Sequence, residues 1–265
     1  MYAPIKALRF RWHVRQAPFA LYVTQQFLQR RYPNKEGETC VASDVEIPHP
    51  EIEVLHKREG REQGQNEPLV FGLVGSLTGS LKGIDTAIEA LAKVKDTLPA
   101  WQFRVLGPGD STRFGALADR LGIGDRVHFD GTLPAGEAVG YWLDQVDVYL
   151  QPSRREGLPR ALVEAMSRGC PAIGSRCAGI PELLEDECLV RPGRPDQLAD
   201  LLLRVARNTE WRHRQAERNW SKAKEYAADV LEPKRRAFWQ RFAEHTAACR
   251  DTARTKEAEE KYASA

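Results

Sequence analysis

The chain has 265 residues, enough for one large or two small domains, and its 42% hydrophobic content suits a soluble globular protein with a substantial core. Its 39 Lys and Arg against 37 Asp and Glu leave a net charge of +2, which excludes a global pull toward nucleic acid, so any anionic ligand must be held locally. No run of about 18 uncharged apolar residues is present, no apolar signal-peptide core opens the chain, and the five scattered cysteines lack zinc-ligand spacing, which points to a cytoplasmic protein with reduced thiols.

Residues 1–67 lack a regular strand and helix rhythm and are broken by Pro4, Pro18, Pro33, Pro48 and Pro50. They predict a mostly helical segment, with a short strand and an amphipathic helix within residues 19–29 and a polar linker over 57–67. Lys6, Arg9, Arg11, Arg15, Arg30 and Arg31 stand among Phe10, Trp12 and Phe19, a mixture commonest on a solvated helix face. Contact with anionic lipid or an acidic acceptor is the less common alternative, and would place the protein peripherally at the inner membrane face.

From Pro68 a strand, glycine turn and helix repeat begins. Residues 69–74, Leu-Val-Phe-Gly-Leu-Val, predict a strand buried on both faces, and Ile84, Ala87, Ile88, Leu91 and Val94 form the apolar stripe of a helix over 83–95. Further strands are expected at 101–106, 126–129, 147–150, 171–174 and 188–190, alternating with helices near 114–121, 136–143, 159–168 and 195–208. Right-handed crossovers between such strands give a doubly wound parallel α/β sheet, with ligands bound beyond the carboxyl ends of the strands. Helices over 211–228 and 230–246 follow, and the charged stretch 249–265 predicts a frayed or disordered tail.

The most informative stretch is residues 151–166, Gln-Pro-Ser-Arg-Arg-Glu-Gly-Leu-Pro-Arg-Ala-Leu-Val-Glu-Ala-Met. It leaves a strand, turns at Gly157 and enters a helix with Pro159 in its first turn, where a missing N–H costs little. Free N–H groups and the positive end of the helix dipole make such a start an anion site suited to a diphosphate. Glu156 just before the helix and Glu164 inside it can face one crevice, and each carboxylate can accept hydrogen bonds from two vicinal hydroxyls. Without their context the two glutamates would read as solvated helix residues.

In context, the Glu156-x7-Glu164 pair, with Pro-Ser and Glu-Gly before it and Glu-Ala-Met-Ser-Arg-Gly-Cys-Pro-Ala-Ile-Gly and Gly179-Ile-Pro-Glu182-Leu-Leu after it, resembles glycosyltransferase family 4. The ordered resemblance covers residues 69–200. It implies a GT-B fold, here its Rossmann-like donor-binding half, over residues 68–228, a crossover helix over 229–248, and residues 1–67 as the end of an acceptor domain plus its linker. It assigns Glu156 to the transferred sugar, Glu164 to the ribose of the nucleotide, and the backbone of Gly157 and Leu158 to sugar and phosphates.

The same resemblance covers Gly75-Ser76-Leu77 to Lys82-Gly83, where Gly75 lets a ligand approach and Lys82 places a charge near diphosphate oxygens. Ser76 stands where many relatives have arginine, with Arg154, Arg155 and Arg160 as candidate replacements. Gly107 marks the turn after the second strand, and Leu133 the loop that meets the nucleotide base. The implied activity is metal-free, cofactor-free hexosyl transfer with retention from a nucleoside-diphosphate sugar to a glycan, lipid-linked or small-molecule hydroxyl, with Glu156 and Lys82 as catalytic groups. A non-catalytic nucleotide-sugar-binding module, completed by a separate acceptor-domain chain, and a nucleotide-sugar epimerase are the alternatives.

Overall fold

The computed structural model describes residues 3–60 and 67–263, so residues 61–66 of the expected linker lie outside the described residues. The N-terminal part runs α1 (Ala3–Gln16), β1 (Phe19–Tyr22), α2 (Phe27–Arg31), β2 (Glu38–Val41) and α3 (Ile52–Glu59). The strand and helix expected within 19–29 are β1 and α2. The second strand, β2, pairs in parallel with β1 from Phe19↔Glu38 to Tyr22↔Val41 and is an unexpected addition to a part that is otherwise mostly helical. Its sequence, Glu-Thr-Cys-Val, is too short and polar to announce a strand, and neighbouring backbone rather than propensity fixes it.

The main sheet contains β3 (Leu69–Val74), β4 (Trp101–Leu106), β5 (Val127–Phe129), β6 (Val148–Gln151), β7 (Ala172–Ser175) and β8 (Leu189–Val190). All pairings are parallel and the spatial order is β5-β4-β3-β6-β7-β8, so the direction of winding reverses between β3 and β6. The covering helices are α4 (Ile84–Val94), α5 (Thr112–Arg120), α6 (Glu137–Asp144), α7 (Arg160–Ser167), α8 (Pro195–Ala206) and α9 (Thr209–Ala223). This is the doubly wound α/β architecture expected from the alternating pattern.

Burial follows the sequence periods. All of the α4 stripe, Ile84, Ala87, Ile88, Leu91 and Val94, is buried, while β4 alternates buried Trp101, Phe103 and Val105 with half-buried Gln102 and Arg104. Gly72 interrupts the apolar run of β3 because a Cβ there would lie 2.4 Å from Val146 Cγ2. The glycine lets a neighbouring side chain pack directly onto the strand.

Helix α10 (Ala228–Ala263) is continuous across positions 249–263, where a frayed tail was expected. Ala, Glu, Lys and Arg dominate that stretch, and a helix already nucleated by packing propagates through strong helix formers at little cost. The helix returns over the N-terminal strands. Phe19 meets Phe238 at a ring-centroid distance of 5.6 Å, and Arg235 donates to the carbonyl of Ser43 at 2.8 Å.

Helix α3 is fastened to the main sheet by Arg58. Its guanidinium donates to the carbonyls of Arg168 (2.7 Å), Val146 (2.6 Å) and Leu143 (3.0 Å), the exposed carbonyl ends of α7 and α6. A cation suits helix C-termini because their free carbonyls carry partial negative charge. Beside it, Leu55 packs with Ala216 and Trp220 of α9. Replacing Arg58 by Met keeps the stem and removes the donors, and should lower unfolding stability by about 2–3 kcal/mol in a urea titration.

Candidate functional site

In doubly wound sheets the reversal of winding is where ligands bind, and the loops after β3 and β6 that border the reversal here carry the expected site residues. The two loops touch through their backbones. Gly83, at φ 71°, closes the first loop, and a Cβ there would lie 2.1 Å from the carbonyl oxygen of Pro152. The Arg154 N–H also donates to the carbonyl of Leu81 at 2.8 Å. A side chain at position 83 would therefore separate the loops.

This contact brings Lys82 within 2.8 Å of Glu156 Oε1, across 74 positions of sequence. The Lys82 stem lies over Gly75, where a Cβ would be 2.9 Å from its Cγ, so the glycine makes room for the lysine. Glu156 is only 9% exposed and Lys82 32%. The same Oε1 accepts from Ser153 Oγ at 2.7 Å and Gln151 Nε2 at 3.2 Å. Ser153 in turn accepts from Gln151 Nε2 at 2.8 Å, and Tyr149 donates to Gln151 Oε1 at 3.1 Å. Glu156 is thus held by a chain of buried polar groups rooted in β6.

Glu164 differs. It lies in α7, half-buried, and no hydrogen bond or ion pair to its carboxylate is present among the described residues. Burial raises its pKa above the usual carboxylate range, with the nearby Arg160 charge pulling the other way. Both carboxylates lie within electrostatic range of the buried Tyr149 hydroxyl, whose pKa is pushed well up, mainly by burial and further by Glu164 and Glu156. The two glutamates therefore act electrostatically on the same buried group.

Helix α7 starts at Arg160, one residue later than the sequence suggests, with Pro159 as its N-cap and no side chain capping it. Its first N–H groups are available to a ligand. Gly157 is half-buried and Leu158 buried, and the Gly157 carbonyl accepts from Gly179 N–H at 2.9 Å, which ties the loop after β6 to the loop after β7. Gly107 packs on Gly75, since a Cβ would lie 2.1 Å from the Gly75 carbonyl, and its N–H donates to the Gly131 carbonyl at 2.6 Å. Leu133, 40% exposed, stands in that same loop after β5. No contact draws it against the carboxylates.

The Ser76 hydroxyl accepts from Thr78 N–H of its own loop at 3.1 Å and donates to the Pro108 carbonyl of the loop after β4 at 3.4 Å. Of the arginines expected to replace a missing charge there, Arg154 is consumed by Asp85 at 2.8 and 2.9 Å and by Thr86 at 2.8 Å. Arg155 and Arg160 remain exposed. Arg113, which sequence reasoning did not select, donates to the Gly79 carbonyl of the same loop at 2.7 Å. Gln151, Ser153 and Tyr149 were equally unselected, and only their period-two spacing on a buried strand, extended to Ser153, could have signalled them.

Among the described residues no group of three or more His, Cys, Asp and Glu side chains is placed to hold a metal ion, and no helix is long and apolar enough to cross a membrane.

With this geometry in hand, the sequence profile of the family described as "Glycosyl transferases group 1" matches residues 68–208, more than half of the chain. The chain belongs to the group 1 glycosyl transferases. Among curated relatives it is 28% identical over 199 residues to protein CapJ of Staphylococcus aureus, covering 75% of this chain and 49% of CapJ. It is 29% identical over 192 residues to the lipopolysaccharide glucosyltransferase WaaG of Escherichia coli K12, covering 68% of this chain and 50% of WaaG. The chain spans about half the length of these two relatives.

Among solved structures, sucrose-phosphate synthase from Thermosynechococcus elongatus superposes with a TM-score of 0.72 at 20% identity, over 91% of this chain and 62% of that one. Anabaena HepE in complex with UDP and glucose gives 0.68 at 20% identity, over 91% and 66%. These likenesses show the GT-B Rossmann-like fold for this group 1 transferase.

The half-buried carboxyl of Glu164 sets a pH signature. Its folded-state pKa lies above the unfolded value, so folding loses stability as pH rises from below the unfolded pKa to above the folded one. In ligand-free protein, Glu164→Gln should raise the urea midpoint at pH 7, and the gain should fade near pH 3, where both carboxyl and amide are neutral.

Proposed function

We propose that this group 1 transferase moves a hexosyl unit from a nucleoside-diphosphate sugar to a hydroxyl of a glycan, lipid-linked or small-molecule acceptor, with retention at the anomeric carbon, as in glycosyltransferase family 4. The observation that carries it is the crevice between β3 and β6. Its border carries a lysine-paired glutamate, a second, half-buried glutamate without a partner, and an uncapped helix start. That border offers positive charge for a diphosphate and two acceptors for sugar and ribose hydroxyls. The structurally similar HepE binds UDP and glucose, which supports a nucleotide-sugar ligand and makes UDP the first probe.

In the proposed step the bond from the sugar C1 to the diphosphate oxygen breaks and its electron pair leaves with the nucleoside diphosphate. The acceptor oxygen bonds to C1 on the same face, and its proton passes to the departing phosphate oxygen. Negative charge grows on the diphosphate as this happens. Lys82 and the first N–H groups of α7 meet that charge where it develops, so they stabilise the transition state more than the ground state, and no metal is assigned to the step.

Glu156, already held by Lys82, Ser153 and Gln151 through Oε1, presents its remaining oxygen to the hydroxyls of the transferred sugar. Glu164 takes the two ribose hydroxyls. The backbone of Gly75, Gly107, Gly157 and Leu158 lines the donor, and Ser76 and Leu133 border it at the phosphate and base ends. A second reading, a nucleotide-sugar-binding module without turnover, is favoured by the Lys82–Glu156 pair, which satisfies both charges without any ligand.

Calorimetry with UDP beside a transfer assay tests both readings. Glu164→Ala should weaken UDP binding about 10- to 100-fold, the worth of hydrogen bonds to a charged group. UDP affinity in the parent protein should fall as pH drops through the raised Glu164 pKa, because ribose hydroxyls need the carboxylate as acceptor. Glu156→Gln should cut sugar transfer by at least about 100-fold while leaving UDP affinity within about threefold. Unchanged UDP binding in Glu164→Ala would sink the ribose assignment, and binding without any transfer by the parent protein would favour the second reading.

A further inference from the structure

A second concavity adjoins the donor loops. It is a cleft of about 710 Å³ between α1, α2 and the loop after β7, and Arg11, Arg30 and Arg31 line it together with Gln26, Ala178 and Glu182. Three guanidinium groups, one from α1 and two from α2, converge on one hollow. Among the described residues none of the three makes an ion pair. Arg30 donates to Gln26 Oε1 at 2.7 Å and Arg31 to the Tyr32 hydroxyl at 3.2 Å, and both partners are neutral.

Glu182 offsets only part of their charge, one carboxylate against three guanidinium groups. It is held in place by three backbone N–H groups, those of Gln25 (2.5 Å), Gln26 (3.0 Å) and Phe27 (2.7 Å), in the segment that leads into α2, and pairs with none of the arginines. The α1 sequence contains no acidic residue. A solvated helix face would spread such charges apart. Here they are gathered in a concave space of the size that holds a small ligand, and three guanidinium groups with a single carboxylate among them leave an excess of positive charge that an anion would offset.

The cleft also shares a wall with the donor loop. Ala178 lines it, and the next residue, Gly179, donates its N–H to the Gly157 carbonyl at 2.9 Å. Ala178 is the one non-glycine residue with positive φ among the described residues, at 50°. The left-handed conformation is unfavourable for an alanine, so the surroundings hold this wall in a shape it would not choose.

We propose that this cleft is the subsite for a negatively charged group, carboxylate or phosphate, on the glycan acceptor. The inference rests on the transferase reading, since a second substrate must lie beside the first and the cleft begins one residue from the contact with Gly157. Guanidinium pairs bind both anions through paired N–H groups, which is why the two chemistries share one site.

The test uses the whole chain and two parallel titrations. In one, a glucuronate-bearing oligosaccharide, a phosphate-bearing oligosaccharide and a neutral oligosaccharide of equal length are titrated by calorimetry. In the other, UDP is titrated into the same proteins. The parent should bind one or both anionic oligosaccharides at least tenfold more tightly than the neutral one, and the better of the two identifies the anion. The triple variant Arg11→Ala, Arg30→Ala, Arg31→Ala should lose that preference while binding UDP as the parent does, which also shows that it is folded.

Equal affinity for charged and neutral oligosaccharides in the parent, or a preference that survives the triple variant, would overturn the proposal. So would arginine-dependent binding to phosphatidylglycerol vesicles without discrimination among the oligosaccharides, which would make the cleft a membrane-docking surface. Loss of UDP binding in the parent would instead count against the donor reading, and leaves the cleft result to be judged on the oligosaccharides.

Discussion

The backbone contact between Gly83 and Pro152 is the constraint on which the site depends. A parallel sheet that winds outward in both directions from its centre must leave a crevice at the reversal, and the loops on its two sides would stay apart if either carried a side chain at the point of contact. Glycine at 83 closes the gap, and only then can a lysine on one loop reach a glutamate on the other. Gly75 repeats the device beneath the Lys82 stem, and Gly107 repeats it beneath Gly75. Three loops from distant parts of the chain are layered in this way, with the sheet core setting where each begins.

The two glutamates illustrate how one fold gives a single chemical group two states. Glu156 is prepaid with hydrogen bonds, so its position is fixed before a ligand arrives. Glu164 is half-buried without them, so its charge is disfavoured until donors are supplied. The first arrangement suits a group that must be in place during a reaction, and the second suits a group that recognises hydroxyls by the relief they bring. Tyr149, fully buried and linked through Gln151 to the Glu156 network, is electrostatically coupled to both carboxylates.

Much of this was legible in the sequence because the central strands are short apolar runs and their helices carry clear stripes. The run at 69–74 and the stripe from Ile84 to Val94 could be read directly, and the reversal of winding followed from the alternation. The glutamate pair stood out by its spacing within an ordered block. What escaped were features fixed by contacts over long sequence distances. Neither the tie of Lys82 to Glu156 nor the capture of Arg154 by Asp85 has a local signal, and the strand β2 exists because β1 lies beside it. The continuous α10 was hidden for a different reason: a helix without an apolar stripe looks like a disordered tail until something anchors its beginning.

Arg58 shows that similarity and cooperative folding draw their borders in different places. The family match begins at residue 68, yet the cation that neutralises the carbonyl ends of α6 and α7 comes from α3, before that point. Trp220 of α9 likewise sends its indole N–H back to the Glu51 carbonyl at 3.0 Å. A piece cut at the edge of the recognisable family would keep every donor-loop residue and still expose two helix ends and an indole that had partners. The smallest unit that folds as one body here is larger than the unit that evolution has made easiest to recognise.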